Sequence, residues 1–266
     1  MIIDFHENLL NRSRYVDELV KECKGLKIDK VCLMGLGLHH EMLGNEEVEQ
    51  AFKKYPDMII GFGHIKLGVD TVDKVDTLYQ KGFKGLKVTR PLANYDDRRF
   101  YPMYARAQDY GMPILFHLGI LARRENEASF DISMNRMRPA YLDTIARAFP
   151  GLTLIGAHLG NPWYEEACEV TRWNPNVYFD LSGSTLKKKK PSFFKEILWW
   201  TGKQTFHYKG LKGKEPFDKI VFGGDVPYEL IEDVMNDYRN LMDNLKISKG
   251  IQDKVFGGTA AEILNL

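Results

Sequence analysis

Cysteine is scarce in this sequence, and its three copies, Cys23, Cys32 and Cys168, lie far apart. None belongs to a C-x-x-C pair, so neither a disulfide framework nor a structural zinc site is supported, and a reducing compartment is expected. Net charge is nearly absent: 37 Lys and Arg stand against 36 Asp and Glu. With a balance of +1, no global field recommends nucleic acid or an anionic membrane as partner. The one sharp charge block, Lys187 to Lys190, runs into Pro191 and reads as a solvated loop or helix start. No apolar run approaches membrane-spanning length, and no charged start is followed by an apolar stretch. A cytoplasmic protein is therefore expected.

What is present is a rhythm. Hydrophobic residues make up 44% of the chain, enough for a core without metal or disulfide staples. Apolar runs of strand length recur: "IIDF" (2–5), "KVCLM" (30–34), "MIIGF" (58–62), "KGLKV" (84–88), "PILFHL" (113–118), "LTLIGA" (152–157), "NVYFDL" (176–181) and "KIVFGG" (219–224). Such runs suit strands buried on both faces. Between them lie helical patterns. "RRFYPMYARAQDYG" stops at Gly111, "RPAYLDTIARAFPG" opens at Pro139, and "YELIEDVMNDYRNLMDNL" repeats Leu230, Val234, Tyr238 and Leu241 on one face. Eight strand–helix units of this size predict a (β/α)₈ TIM barrel. A doubly wound sheet would carry a glycine-rich phosphate turn after its first strand, and "DFHENL" is not one. No linker or composition shift marks a boundary, so one domain over residues 1–266 is expected.

In a barrel, the residues just past each strand converge on one face. At that level this chain places His6, His64, Lys87, His117, His158, Ser182 and Asp225. Four of its seven histidines thus fall at one height, joined by an aspartate. Neutral imidazoles with a carboxylate suit Zn²⁺ or a similar ion with one position open for water. Such an ion would supply hydroxide at neutral pH, with a carboxylate to take the proton.

The segments "IDFHEN", "GFKGLKV", "YARAQDYGMPILFHLG", "FPGLTLIGAHLG", "NVYFDLSG" and "VFGGDVPYE" resemble, in order and along essentially the whole chain, the amidohydrolase superfamily. The branch it looks like is the amidohydrolase-2 type, which includes decarboxylases similar to aminocarboxymuconate-semialdehyde decarboxylase. The terminal "VFGGTAAEILNL" fits too, with Thr259 where asparagine is usual. The resemblance implies one divalent ion, Zn²⁺ or Mn²⁺, held by His6, His117 and Asp225. It also implies that Asp225 handles the proton of the attacking water and that His158 lies beside metal and substrate. Lys87 matches a position where some members carry a carboxylated lysine; an unmodified lysine paired with a carboxylate or substrate is expected here.

One departure matters. The second histidine of the H-x-H pair is replaced by Asn8. Residues two apart on a strand share a face, so Asn8 and His6 point together. A neutral amide oxygen suits Zn²⁺ less well than imidazole. Three readings remain open: Asn8 is a weak ligand, His64 or Glu7 compensates, or the metal is lost. The ligand set expected is His6, Asn8, His117 and Asp225. His39, His40 and His207 are expected at the surface. Arg90, closest to a strand end, is the candidate for gripping an anionic substrate together with His64 and Lys87; Arg123, Arg124, Arg136 and Arg138 crowd the loop after the fifth strand. Trp199 and Trp200 are expected in the core. The expected activity is metal-dependent hydrolysis of a small, anionic ester, lactone or amide. The alternatives are a lyase, decarboxylase or hydratase using the same site, and a metal-free ligand-binding barrel. The partner expected is a small molecule, with a homo-oligomer open.

Overall fold

The computed structural model describes residues 1–37, 41–123, 131–205 and 209–266. His39, His40, Arg124 and His207 lie outside the described residues. Eight strands form one sheet in the order of the chain, every neighbouring pair parallel. They are β1 (Ile3–Asn8), β2 (Lys30–Met34), β3 (Ile59–Ile65), β4 (Gly85–Val88), β5 (Ile114–Phe116), β6 (Leu154–Gly156), β7 (Val177–Asp180) and β8 (Ile220–Val221). Backbone bonds from Phe5 N to Phe222 O (2.9 Å) and from Asp225 N to His6 O (2.7 Å) bring the two edges together. The architecture is the (β/α)₈ barrel that the apolar rhythm predicts.

Alternation divides each strand between two cores. Val31, Leu33, Leu86, Val88, Ile114, Phe116, Val177 and Phe179 face outward into the helix layer. Inward lie Ile3, Phe5, Cys32, Met34, Phe62, Leu115, Ile155 and Val221, floored by Ala260 of the helix Thr259–Leu264. The predicted helices form over Tyr101–Asp109, Ala140–Ala148 and Ile231–Asn244. Gly111, at φ +62°, follows the first, and Pro139 caps the second at φ −56°. Leu230 lies before the third of these helices and is exposed, whereas Val234, Tyr238 and Leu241 bury the expected face. Of the two tryptophans expected in the core, only Trp200 is buried. Trp199 is 47% exposed and lies under the Arg172 guanidinium, 4.5 Å from its ring centre. A flat indole can satisfy its ring face against a cation instead of a core.

β1 departs from simple alternation. Asp4 pairs with Val31 but Glu7 pairs with Leu33, so two residues, Phe5 and His6, oppose Cys32 alone. A bulge of this kind re-aims the side chains after it. Ile3 and Phe5 face inward before it, and His6 and Asn8 face inward after it. Without the bulge, His6 would share the outward face of Asp4.

Candidate active site

Above the inner core, a cavity of about 410 Å³ opens at the C-terminal ends of the strands. His6, Asn8, Lys87, Arg90, His117, His158 and Asp225 line it. Seven residues singled out from the sequence therefore meet in one place. Three of them, Arg90, His158 and Asp225, sit at φ +48°, +60° and +51°. Non-glycine residues rarely adopt this left-handed region, and sites are where such strain accumulates. At His158 the strain is held by three bonds. Its N–H donates to Asp180 Oδ1 (2.8 Å), and its carbonyl accepts from Asn161 N (3.0 Å) and Thr185 Oγ1 (2.9 Å).

Asp180 is the hub beneath the cavity. It is fully buried at the end of β7. One oxygen accepts from His6 Nδ1 (2.9 Å); the other accepts from His158 N, Ser182 N (3.0 Å) and Ser182 Oγ (2.5 Å). Burial alone would raise its pKa, but His6, His158 and these hydrogen bonds outweigh it and hold the carboxyl well below the usual range. Ser182 Oγ in turn stands 2.9 Å from His158 Nδ1, which donates to it. Ser182 stands at the strand-end level of the sequence, and Asp180 lies below it. A lone acid in the apolar strand "VYFD" is the signal that could have found it, since a buried charge requires partners.

The remaining imidazole nitrogens follow from these partners. With Nδ1–H given to Asp180, His6 offers the lone pair of Nε2, and Lys87 Nζ donates to it at 2.8 Å. His117 Nε2 donates to Ile120 O (3.3 Å), so its Nδ1 accepts, and it lies 3.4 Å from His158 Nε2. His158 Nε2 is also 3.7 Å from Asp225 Oδ2, while Asp225 Oδ1 accepts from Asn8 Nδ2 (2.5 Å) and lies 3.5 Å from His6 Nε2. Two acceptor nitrogens and a carboxylate oxygen thus converge on the cavity, a set that can take protons from a water between them. Burial keeps His117 well below the usual histidine pKa, helped by His158 and Lys87, and lowers His158 as well. Burial also pushes the Lys87 ammonium down to about 8, against the pull of Asp225 and Asp180.

Of the other candidates, His64 pairs in register with Lys87 but does not line the cavity; burial pushes its pKa down to about 4. Its backbone is clasped by Asn45, which both donates to His64 O and accepts from His64 N. Glu7 faces away from the cavity and is buried, its carboxyl pushed well above the usual range by burial and by Asp4. Neither stands where it would complete a ligand set. Arg90 lines the cavity, 8% exposed. Arg136 and Arg138 are engaged in holding the loop, Arg136 by Asp131 and Arg138 by Glu166 and the Trp163 ring; Arg123 is exposed.

As arranged, these donors do not fit a divalent ion. The Nε2 lone pair of His6 is taken by the Lys87 ammonium, a positive charge where an ion would have to sit. Asn8 turns its amide nitrogen, a donor, toward Asp225. Among the described residues no three His, Cys, Asp or Glu side chains stand together as an ion would require. Among the described residues Lys87 is bonded to His6 Nε2, where a carboxylate or substrate is expected from the sequence.

Residues 25–266 match the amidohydrolase family, Amidohydro_2. The chain belongs to that family. No curated protein matches the chain. Solved structures agree on the fold. An uncharacterised TIM-barrel protein from Bordetella bronchiseptica is 19% identical with a TM-score of 0.72, over 99% of this chain and 98% of its own. A probable 2-pyrone-4,6-dicarboxylic acid hydrolase from Acinetobacter baumannii, with citric acid bound, is 15% identical with a TM-score of 0.65, over 100% and 99%. A 5-carboxyvanillate decarboxylase from Novosphingobium aromaticivorans, with manganese bound, is also 15% identical at 0.65, over 100% and 97%. A hydratase is among the neighbours as well. This family member therefore resembles, in fold, enzymes of several reaction types. No helix among its described residues is long and apolar enough to cross a membrane.

Proposed function

We propose that this amidohydrolase-family barrel hydrolyses a small ester, lactone or amide that carries a carboxylate. The observation that carries the reading is the position of Asp225. Its Oδ1 is held by Asn8, and its Oδ2 faces His158 Nε2 across 3.7 Å, a gap suited to one bridging water. In the reaction, that water gives a proton to Asp225 as its oxygen bonds to the substrate carbonyl carbon. The carbonyl π pair moves onto oxygen, beside the cations that line the cavity. The tetrahedral adduct then expels its alkoxide or amine, which takes the proton back from Asp225. His158 Nε2, which keeps its lone pair, accepts a hydrogen bond from that water and orients it beside Asp225. Arg90 supplies a guanidinium for the substrate carboxylate, a geometry that favours bidentate pairing. The metal of the original expectation is not carried into this scheme, because His6 Nε2 is already engaged by Lys87.

The named hydrolase among the neighbours, of a dicarboxylic substrate, supports the reading, and its citrate is a small polycarboxylate. Decarboxylation is the second reading, favoured by the decarboxylase neighbour of equal TM-score. The experiment is incubation of the purified protein with a panel of carboxylated lactones and esters, and with carboxylated phenols. Acid release without CO₂ supports hydrolysis; CO₂ release overturns it in favour of the lyase.

A further inference from the structure

Lys87 is the deepest cation of the cavity. It lies on β4, pointing into the barrel between the outward-facing Leu86 and Val88, and is 1% exposed. Placing an ammonium there costs several kcal/mol unless partners offset it. Among the described residues, His6 Nε2 is the one acceptor it is bonded to, at 2.8 Å. An ammonium has three donors, so two are left for an incoming oxygen in the cavity it lines. The charges around it are arranged for a cation: Asp180 grips the far side of the His6 ring at 2.9 Å, and Asp225 reaches within 3.5 Å of the same Nε2. Asn8 Oδ1 is buried and lacks a hydrogen-bond partner. Without the ammonium, His6 Nε2 would lose its donor, with Asp225 Oδ1 3.5 Å away.

We infer that Lys87 takes the place of a divalent ion in this barrel: its ammonium, docked on His6, is the fixed positive charge that receives the developing charge on the substrate carbonyl oxygen, and while it is there the site takes up no metal. The inference rests on the hydrolytic reading for its chemistry, but its ion-binding consequence stands alone. A rigid lysine can perform this electrostatic task because preorganised charge in a water-poor cavity requires no reorganisation as the reaction proceeds. It also accounts for Asn8. With no ion to bind, the position needs a donor that holds the Asp225 carboxylate, and Nδ2 supplies it.

The test is titration with Co²⁺, followed by equilibrium dialysis and visible absorbance, on the wild-type protein, K87A and the double variant H6A/K87A, with circular dichroism to confirm folding. Wild type is expected to take up no Co²⁺ at micromolar concentration, K87A near one equivalent, and H6A/K87A none. One equivalent bound by wild type overturns the inference, and that arm decides even if K87A does not fold. A folded K87A that takes up no ion overturns it as well. The two proposals fail separately. Hydrolysis that appears only after Co²⁺ is added to wild type sinks the lysine-for-metal inference and leaves hydrolysis standing. No hydrolysis with or without Co²⁺ sinks the hydrolytic reading and leaves the dialysis result untouched.

Discussion

Asp180 and His6, 174 residues apart in sequence, meet at 2.9 Å with both side chains out of solvent. The carboxylate fixes which His6 nitrogen carries the proton, and so fixes the lone pair offered to Lys87. Asn at position 180 would keep the shape but remove the charge and offer an amide where an acceptor is needed. Each hydrogen bond to a buried charged group contributes about 1.5–3 kcal/mol. D180N is therefore expected to lower the denaturation midpoint markedly, measured by urea unfolding. A midpoint within error of wild type would show that Asp180 is not the hub.

Asp225 should behave in the opposite manner. Its side chain is 21% exposed and its oxygens face the cavity, so D225N is expected to stay within about 1 kcal/mol of wild type in stability. Its turnover should fall by about 10²-fold or more, the scale of a lost general base. Retained turnover would remove Asp225 from the chemistry.

His64 gives an acid-side signature. Its pKa falls from 6.5 to about 4 on burial. Between those values the unfolded chain binds a proton that the folded chain does not, so stability is lost as pH falls through that window. At 1.36 kcal/mol per unit the loss is at most about 3 kcal/mol. H64Q should flatten the stability profile between pH 6.5 and 4; an unchanged acid limb would show that His64 does not govern it.

Gly119 sits at φ +81°, and a Cβ there would stand 1.6 Å from Asn161 O. That oxygen belongs to backbone, which cannot swing aside like a side chain. G119A should lose more than about 2 kcal/mol, combining overpacking with left-handed strain. A melting temperature within a degree of wild type would mean the loops after β5 and β6 part easily.

Arg90 tests substrate charge. A charged hydrogen-bond pair contributes about 1.5–3 kcal/mol, so R90M should raise KM for a carboxylated substrate by about 10-fold or more with a smaller change in kcat. Equal KM values for both proteins would show that the carboxylate binds elsewhere.

Much of the barrel was legible because its strands are apolar on both faces and read as uninterrupted runs. The level of the site was legible for the same reason, since His6, Lys87, His117, His158 and Asp225 punctuate those runs. What did not show was the geometry of pairing. The β1 bulge leaves no mark in composition, yet it decides that His6 faces inward. Nor does spacing reveal that Lys87 engages His6, because the two lie on strands that are not neighbours. Asp180 shows in "VYFD" as an acid among apolar residues, but it lies beneath the strand-end level that the other site residues share. Trp199 lies outside the core, with the Arg172 guanidinium stacked on its ring.

The bond between Asn8 and Asp225 spans 217 residues. On a ribosome adding about 5–20 residues per second, the first strand would wait roughly 10–40 seconds for its last partner. For that interval a bulged strand with two buried acids, Asp4 and Glu7, has neither its seam with β8 nor the Gly224 N–H that donates to Asp4. β1 is thus among the last strands to be closed, and the cavity comes into being only once β8 and the turn after it have been made.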